Sequence, residues 1–336
     1  MMRLMPEEIL ALAEQALIRN DVPQRQAEIV SKATLAAELR GISSHGLQML
    51  PVYIRRVRGG GIIPNVQPEI HKVSDGLYKI DAKGGFGQVA AQAATELMIE
   101  QLRYNNPVVV TIHNTNHCGM LAYYTRQVAK HYALGFMAAN TNPNVPAFGG
   151  AEKVLGTNPF SVAVPWKDDC ILIDMATTSI AKGKIYQYEE SGKTLPQGCA
   201  IDKNGNPTTD PRQAINGMLL PFAGHKGYAI SIAVELLAGL VSGAGYSKHT
   251  YSLHSAVDKQ QNLGVYMQAI PLKPLLDKES YEKRMEDFTS IIKESKKAPG
   301  TESIFLPGEM EQEIEKSCLM NGIEVRIALI NEIKQL

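Results

Sequence analysis

The chain has 336 residues, with 34 Lys and Arg set against 34 Asp and Glu, so its formal net charge is zero. A neutral chain carries no global basic field with which to hold DNA or RNA. Its hydrophobic content of 44% is too high for a disordered chain, and at about 150 residues per domain the length suggests two domains.

Cys118, Cys170, Cys199 and Cys318 are far apart and form no C-x-x-C pair, which excludes a disulfide scaffold and a zinc ribbon. Glu7, Glu8 and Glu14 interrupt the first apolar stretch, so it does not read as a signal peptide. The most apolar segment, 228–241, is short of the roughly 18–20 residues that span a bilayer. A cytoplasmic protein without a membrane or nucleic-acid partner is expected.

In chain order, helical spacing predicts helices over 6–20 and 24–39. A break follows at Arg40-Gly-Ile-Ser-Ser-His45-Gly46, and then an amphipathic run over 47–57 that ends at Gly59-Gly60-Gly61. Strands are expected at 77–81, 107–112, 136–140, 160–164 and 171–174, with helices at 87–103 and 121–132 between them. Asp202 to Pro211 reads as a turn-rich loop, 227–241 as a long apolar helix, 253–300 as a charged and less regular stretch, and 309–321 as a final helix. Residues 1–70 are expected to form a helical unit packing with 300–336, and 71–299 a central α/β domain.

Gly85-Phe-Gly87-Gln-Val-Ala90 matches the G-x-G-x-x-A phosphate loop of a Rossmann unit. The next strand, however, ends in His and Asn where an acidic ribose ligand belongs, so a turn capping a helix is the preferred reading. Of eight histidines, two stand out as proton carriers: His45, just past a helix end beside Gly46, and His117, in the loop after a β-branched strand. His113 and His117 are four apart, a metal spacing only on a helix, and the strand pattern argues against it, so no metal site is expected. Cys118 reads as a small buried thiol rather than a nucleophile. The turns Asn140-Thr141-Asn142-Pro143 and Gly156-Thr157-Asn158-Pro159 are rich in short hydrogen-bonding side chains and suit a pocket wall, although each alone reads equally as an Asx or Pro turn. Lys226, beside a helix N-terminus, suits a phosphate or carboxylate anchor, against the plainer reading of a solvated lysine.

Arg40-Gly-x-x-Ser44-His45-Gly46, Asn116-His117-x-Gly119, Phe148-Gly-Gly-Ala-Glu152 and Gly156-Thr-Asn-Pro159 are followed by Asp174-Met-Ala-Thr-Thr178, Gly183-Lys184, the Asp202–Pro211 loop, Lys226-Gly-Tyr228, Pro307-Gly308-Glu309 and Gly322-Ile-Glu-Val325. In this order the motifs resemble the non-Rossmann, type 2 malate/L-lactate/ureidoglycolate dehydrogenase family. The resemblance implies a homodimer that transfers hydride between NAD or NADP and a small 2-hydroxy acid or its 2-oxo form. It also implies a family-specific α/β fold of the α+β type, with a central, largely antiparallel sheet and a helical domain. Carried over, His117 and His45 are the proton-transfer candidates, with His117 preferred, and Asp202 is the candidate for polarising an imidazole. Thr141, Asp174, Met175, Ala176, Lys226, Pro307, Gly308 and Glu309 match cofactor positions, and Ser44, Tyr53 and Asn158 are the substrate-binding candidates.

Met49 stands where the family usually has a carboxylate-gripping Arg, which points away from a dicarboxylate such as malate. Alternatives are a reductase of cyclic imino acids or diketo sugar acids, and a dinucleotide-binding relative without catalysis.

Overall fold

A computed structural model describes all 336 residues. The chain opens with strand β1 (Met2–Leu4), then helices α1 (Pro6–Ile18) and α2 (Gln24–Leu39), two single 3-10 turns at Ser43–His45 and Leu47–Met49, and α3 (Leu50–Gly59). Pro6 begins α1, and Glu8 reaches back to accept the Met5 N–H at 2.7 Å, which closes the helix start. Next come β2 (Glu69–Ser74), β3 (Leu77–Asp81), α4 (Gly87–Leu102), β4 (Val108–Thr115), α5 (Ala122–Ala129) and β5 (Ala133–Ala139). The short pair β6 (Val145–Pro146) and β7 (Lys153–Leu155) precedes the hairpin β8 (Phe160–Trp166) and β9 (Asp169–Met175). Helix α6 (Lys182–Glu190) follows, then β10 (Ala200–Ile201), α7 (Pro211–Asn216), β11 (Met218–Leu219) and α8 (His225–Val234), which runs on as a π-helix over Glu235–Val241. The chain closes with β12 (Leu263–Pro271), α9 (Lys278–Lys293), α10 (Glu309–Asn321), β13 (Ile323–Val325) and α11 (Ile327–Gln335).

Seven strands form one sheet in the order β2-β3-β4-β12-β5-β8-β9, in which only β3 and β4 run parallel. The expected largely antiparallel sheet is therefore present, and no doubly wound parallel sheet exists. One core cluster lies on the sheet under α4 and α5, around Ile112, Met98, Tyr124 and Met267. A second gathers Ile9, Leu17, Leu50, Tyr53 and Ile54 with Ile323, Val325, Ile330 and Ile333, and it also takes in Phe86, Val89 and Leu253. β1 pairs with β13, Leu4 opposite Ile323, so the two ends of the chain meet. No helix is long and apolar enough to cross a membrane.

The stretch 253–300 departs from expectation: it supplies the central strand β12 and the 16-residue helix α9. β12 pairs on both sides, Met267 facing Val110 of β4 and Met137 of β5. Those partners lie far back in sequence, so a local reading of a segment broken by Gly264, Gln268 and Pro271 missed it. The apolar helix expected over 227–241 is also only partly regular. Its second half widens into a π-helix around the buried carboxylate of Glu235.

Candidate active site

His45 and His117 come from different elements and meet face to face, ring centroids 5.4 Å apart and planes 27° from parallel. His45 sits on the 3-10 turn after α2. That turn is clamped by Glu38, which accepts the Leu47 N–H at 2.6 Å; a side chain on Gly46 would overlap the Glu38 carboxylate. His117 follows β4, and its N–H donates to Gln261 Oε1 at 2.9 Å. Gln261 N–H in turn donates to Asn116 Oδ1 at 3.1 Å, and Asn116 Nδ2 donates to the carbonyls of Gly84 and Gly85, each at 2.9 Å. Arg56, fully buried on α3, joins Asn116 Oδ1 at 3.3 Å and donates to the carbonyls of Ser252, Leu253, Ala256, Lys259 and Gly61. Gly87 explains the rejected phosphate-loop match: a Cβ there would overlap the Asn116 carbonyl oxygen, so the glycine lets the start of α4 press against the histidine loop.

Each imidazole has its Nδ1 engaged, His45 by Ser44 Oγ at 3.0 Å and His117 by Tyr53 Oη at 2.8 Å. Burial pulls His45 down to about 4. It pulls His117 to about 3, aided by Arg56 and by repulsion from His45 and His254 whenever those rings are protonated. Both rings keep some accessible surface, which moderates the effect, but at pH 7 both are neutral. Burial pushes the Cys118 thiol up to about 12, so it stays protonated and is no nucleophile. His113 faces Asp81 at 3.9 Å on the sheet.

The positions matched to a cofactor gather at the end of β9. Asp174 accepts the Ala122 N–H at 2.7 Å, and Met175 and Ala176 follow it with accessible side chains. Surrounding protein raises the Asp174 carboxyl toward about 7, while the Ala122 N–H and Arg40 pull the other way, and its open side limits the rise. Pro307 O accepts the Leu172 N–H at 3.1 Å, which lays Pro307-Gly308-Glu309 along the same strand. Glu309 closes its own helix, accepting from Leu306 N at 2.8 Å and Lys293 Nζ at 2.6 Å. Thr141 Oγ1 accepts the Thr157 N–H at 2.8 Å, Thr177 N donates to Thr157 O at 2.9 Å, and Phe222 N donates to Thr177 O at 3.1 Å. This ladder of turns carries the chain from Thr141 to α8, where Lys226 is exposed in a first turn that no side chain caps. An open helix start with a lysine suits a pyrophosphate, and the accessible Met175 and Ala176 suit a planar ring, so these residues fit a dinucleotide.

Two assignments need correction. Asn158 is fully buried: Nδ2 donates to Ser231 O at 3.1 Å and Glu235 Oε2 at 2.7 Å, and Oδ1 accepts from Thr141 N at 3.2 Å. It clasps the pocket turns to the π-helix and has no donor left for a substrate. Asp202 is exposed, and its carboxylate is taken up by the N–H groups of Asn204 and Asn206 at 2.8 and 2.9 Å, with no bond to either imidazole. Met49 is buried in the helical core. Residues that sequence reasoning passed over are Gln261, Lys182 and Glu235, none of which stands in a motif of its own. Asn116 and Arg56 were visible only as neighbours of a histidine and a missing arginine.

Comparison with known proteins gives the chain's family and the relatives of its fold. Residues 4–334 match the sequence profile of the malate/L-lactate dehydrogenase family. The chain is 33% identical over 332 residues to L-sulfolactate dehydrogenase of Methanothermobacter thermautotrophicus, covering 99% of this chain and 95% of that protein. It is 31% identical to the NAD(+) ureidoglycolate dehydrogenase of Escherichia coli K12, covering 96% and 93%. The solved structure of sulfolactate dehydrogenase from Methanocaldococcus jannaschii superposes with a TM-score of 0.93 at 34% identity, over 99% of this chain and 96% of that one.

Proposed function

The chain belongs to the malate/L-lactate dehydrogenase family, and we propose from its site how it moves hydride and proton between a small 2-hydroxy acid and its 2-oxo form. The observation that carries the proposal is the stacked pair of neutral imidazoles, 5.4 Å apart, each held through Nδ1. In oxidation the substrate hydroxyl must lose its proton as the C–H hydride leaves the same carbon. His117, uncharged and held by Tyr53, takes that proton on Nε2; in reduction the imidazolium returns it to the nascent alkoxide oxygen. His45, oriented by Ser44, lies against the same ring and holds the substrate oxygen in line. A bound nicotinamide cofactor, NAD or NADP, supplies or accepts the hydride. Asp174, Met175, Ala176, Pro307-Gly308-Glu309, Thr141 and Lys226 would hold it.

The working form is a homodimer in this proposal. Ile230, Leu236, Leu240 and Val241 are 37%, 48%, 47% and 66% exposed along one face of α8 and its π-helical extension. A continuous apolar face of this length is what a second copy would cover. All four cysteines are free, in keeping with a reducing cytoplasm.

The test is to mix the protein with NADH, and separately NADPH, and to follow nicotinamide absorbance as pyruvate, oxaloacetate, 2-oxo amides and cyclic imines are added in turn. Oxidation with a 2-oxo acid is the expected result. Turnover of cyclic imines alone would favour the imine reductase, and cofactor binding without any turnover would favour a non-catalytic relative.

A further inference from the structure

A 2-oxo or 2-hydroxy acid brings a carboxylate to the histidine pair, and a cation must meet it there. Lys182, Arg55 and Arg56 are the three cations that bear on His254, and two of the three are already occupied. Arg56 is fully buried, with its guanidinium given to backbone carbonyls and to Asn116. Arg55 is half exposed and lies 3.4 Å from Glu332. Lys182 is different. It is partly buried, its ammonium meets only the neutral amide oxygen of Asn144 at 3.3 Å, and no carboxylate pairs with it.

Its place in the fold is at the end of α6 that meets the histidine turn. Lys182 begins α6, whose start no side chain caps. The next residue, Gly183, lies against Ser44, with only 3.4 Å between the Ser44 Cβ and a methyl built on the glycine; Ser44 Oγ is in turn 3.0 Å from His45 Nδ1. His254, on which the Lys182 charge bears, follows the segment that Arg56 pins through the carbonyls of Ser252 and Leu253. A partly buried ammonium without a counter-charge, at a helix N-terminus whose next residue lies against Ser44, leaves one charge to be balanced.

We propose that Lys182 is the substrate's carboxylate anchor, receiving the charged end of the 2-oxo acid while His45 and His117 face its carbonyl oxygen. This rests on the dehydrogenase reading above. It also accounts for Met49: with the anion held from α6, the position four residues after His45 is free to join the core. Burial and Lys153 both lower the Lys182 ammonium, the cost expected of a cation that waits for an anion.

The experiment compares wild type, Lys182→Met and Lys182→Arg with pyruvate and with its neutral amide, pyruvamide, and measures the binding of oxamate to each protein by calorimetry. The anchor role predicts that Lys182→Met raises KM for pyruvate about 10- to 100-fold, with KM for pyruvamide held within about twofold, weakens oxamate by a similar factor, and is largely rescued by Lys182→Arg. Equal effects on pyruvate and pyruvamide, or unchanged oxamate affinity, would overturn it. If wild type reduces no 2-oxo acid, the dehydrogenase reading fails, and the oxamate comparison still decides whether Lys182 is an anion seat.

Discussion

The Tyr53 hydroxyl lies 2.8 Å from Nδ1 of His117, joining helix α3 to the loop after β4 across 64 residues of sequence. In the proposed mechanism this bond leaves Nε2 for the substrate, because a ring nitrogen shared with a phenol is not available for proton exchange. Tyr53 is itself buried, and burial raises its phenol further from ionisation, so it acts as a fixed neutral partner. Tyr53→Phe keeps the packing and removes the bond. We expect kcat to fall about tenfold with cofactor affinity unchanged, measured by steady-state kinetics and cofactor fluorescence.

The two histidines separate by mutation. His117→Ala is expected to lower kcat about 10²- to 10⁴-fold while the cofactor still binds. His45→Ala should act more on KM than on kcat. If His117→Ala kept near-wild-type kcat, the proton-transfer role would pass to His45.

The depressed histidines also set the pH dependence. An imidazole is a base only above its own pKa, and His117 at about 3 is already neutral through the physiological range. Oxidation of the 2-hydroxy acid should therefore show no acidic limb near 6.5 in kcat/KM, down to about pH 5. Reduction needs the protonated ring, so its kcat/KM should climb by close to tenfold for each pH unit lowered above that pKa. A limb at 6.5 in both directions would mean an unperturbed histidine carries the proton.

Arg56 predicts a stability effect separate from chemistry. Arg56→Met leaves the carbonyls of Ser252, Leu253, Ala256 and Lys259 without their donor. A loss of about 3 kcal/mol or more is expected in urea unfolding. Gln261→Ala, which removes the bond to His117 N and a long one to Tyr251 O, should cost less stability but lower kcat.

The exposed apolar face gives a prediction about assembly. Leu236→Glu together with Leu240→Glu should halve the mass seen by sedimentation, because charges on a buried dimer face are not paired. An unchanged mass would place the dimer contact elsewhere or show a monomer in the wild type.

Much of this molecule can be read from local pattern. Apolar spacing marks α2 over 24–39 and α10 over 309–321 at the residues where they occur; His45 stands out beside Gly46 just past a helix end, and His117 in the loop after a β-branched strand. What folding alone decides is which distant residues meet. β12 becomes the centre of the sheet only because β4 and β5 accept it, pairings at separations of well over 100 residues that no window along the chain contains. By the same cause Asn158 looks like a pocket residue and is spent on Glu235, Asp202 looks like a partner for histidine and is spent on its own turn, and Lys182 looks like surface and is partly buried with only the Asn144 amide oxygen as a partner. A polar side chain's role depends on which hydrogen bonds remain unfilled after packing, and packing is settled by contacts between segments rather than within them.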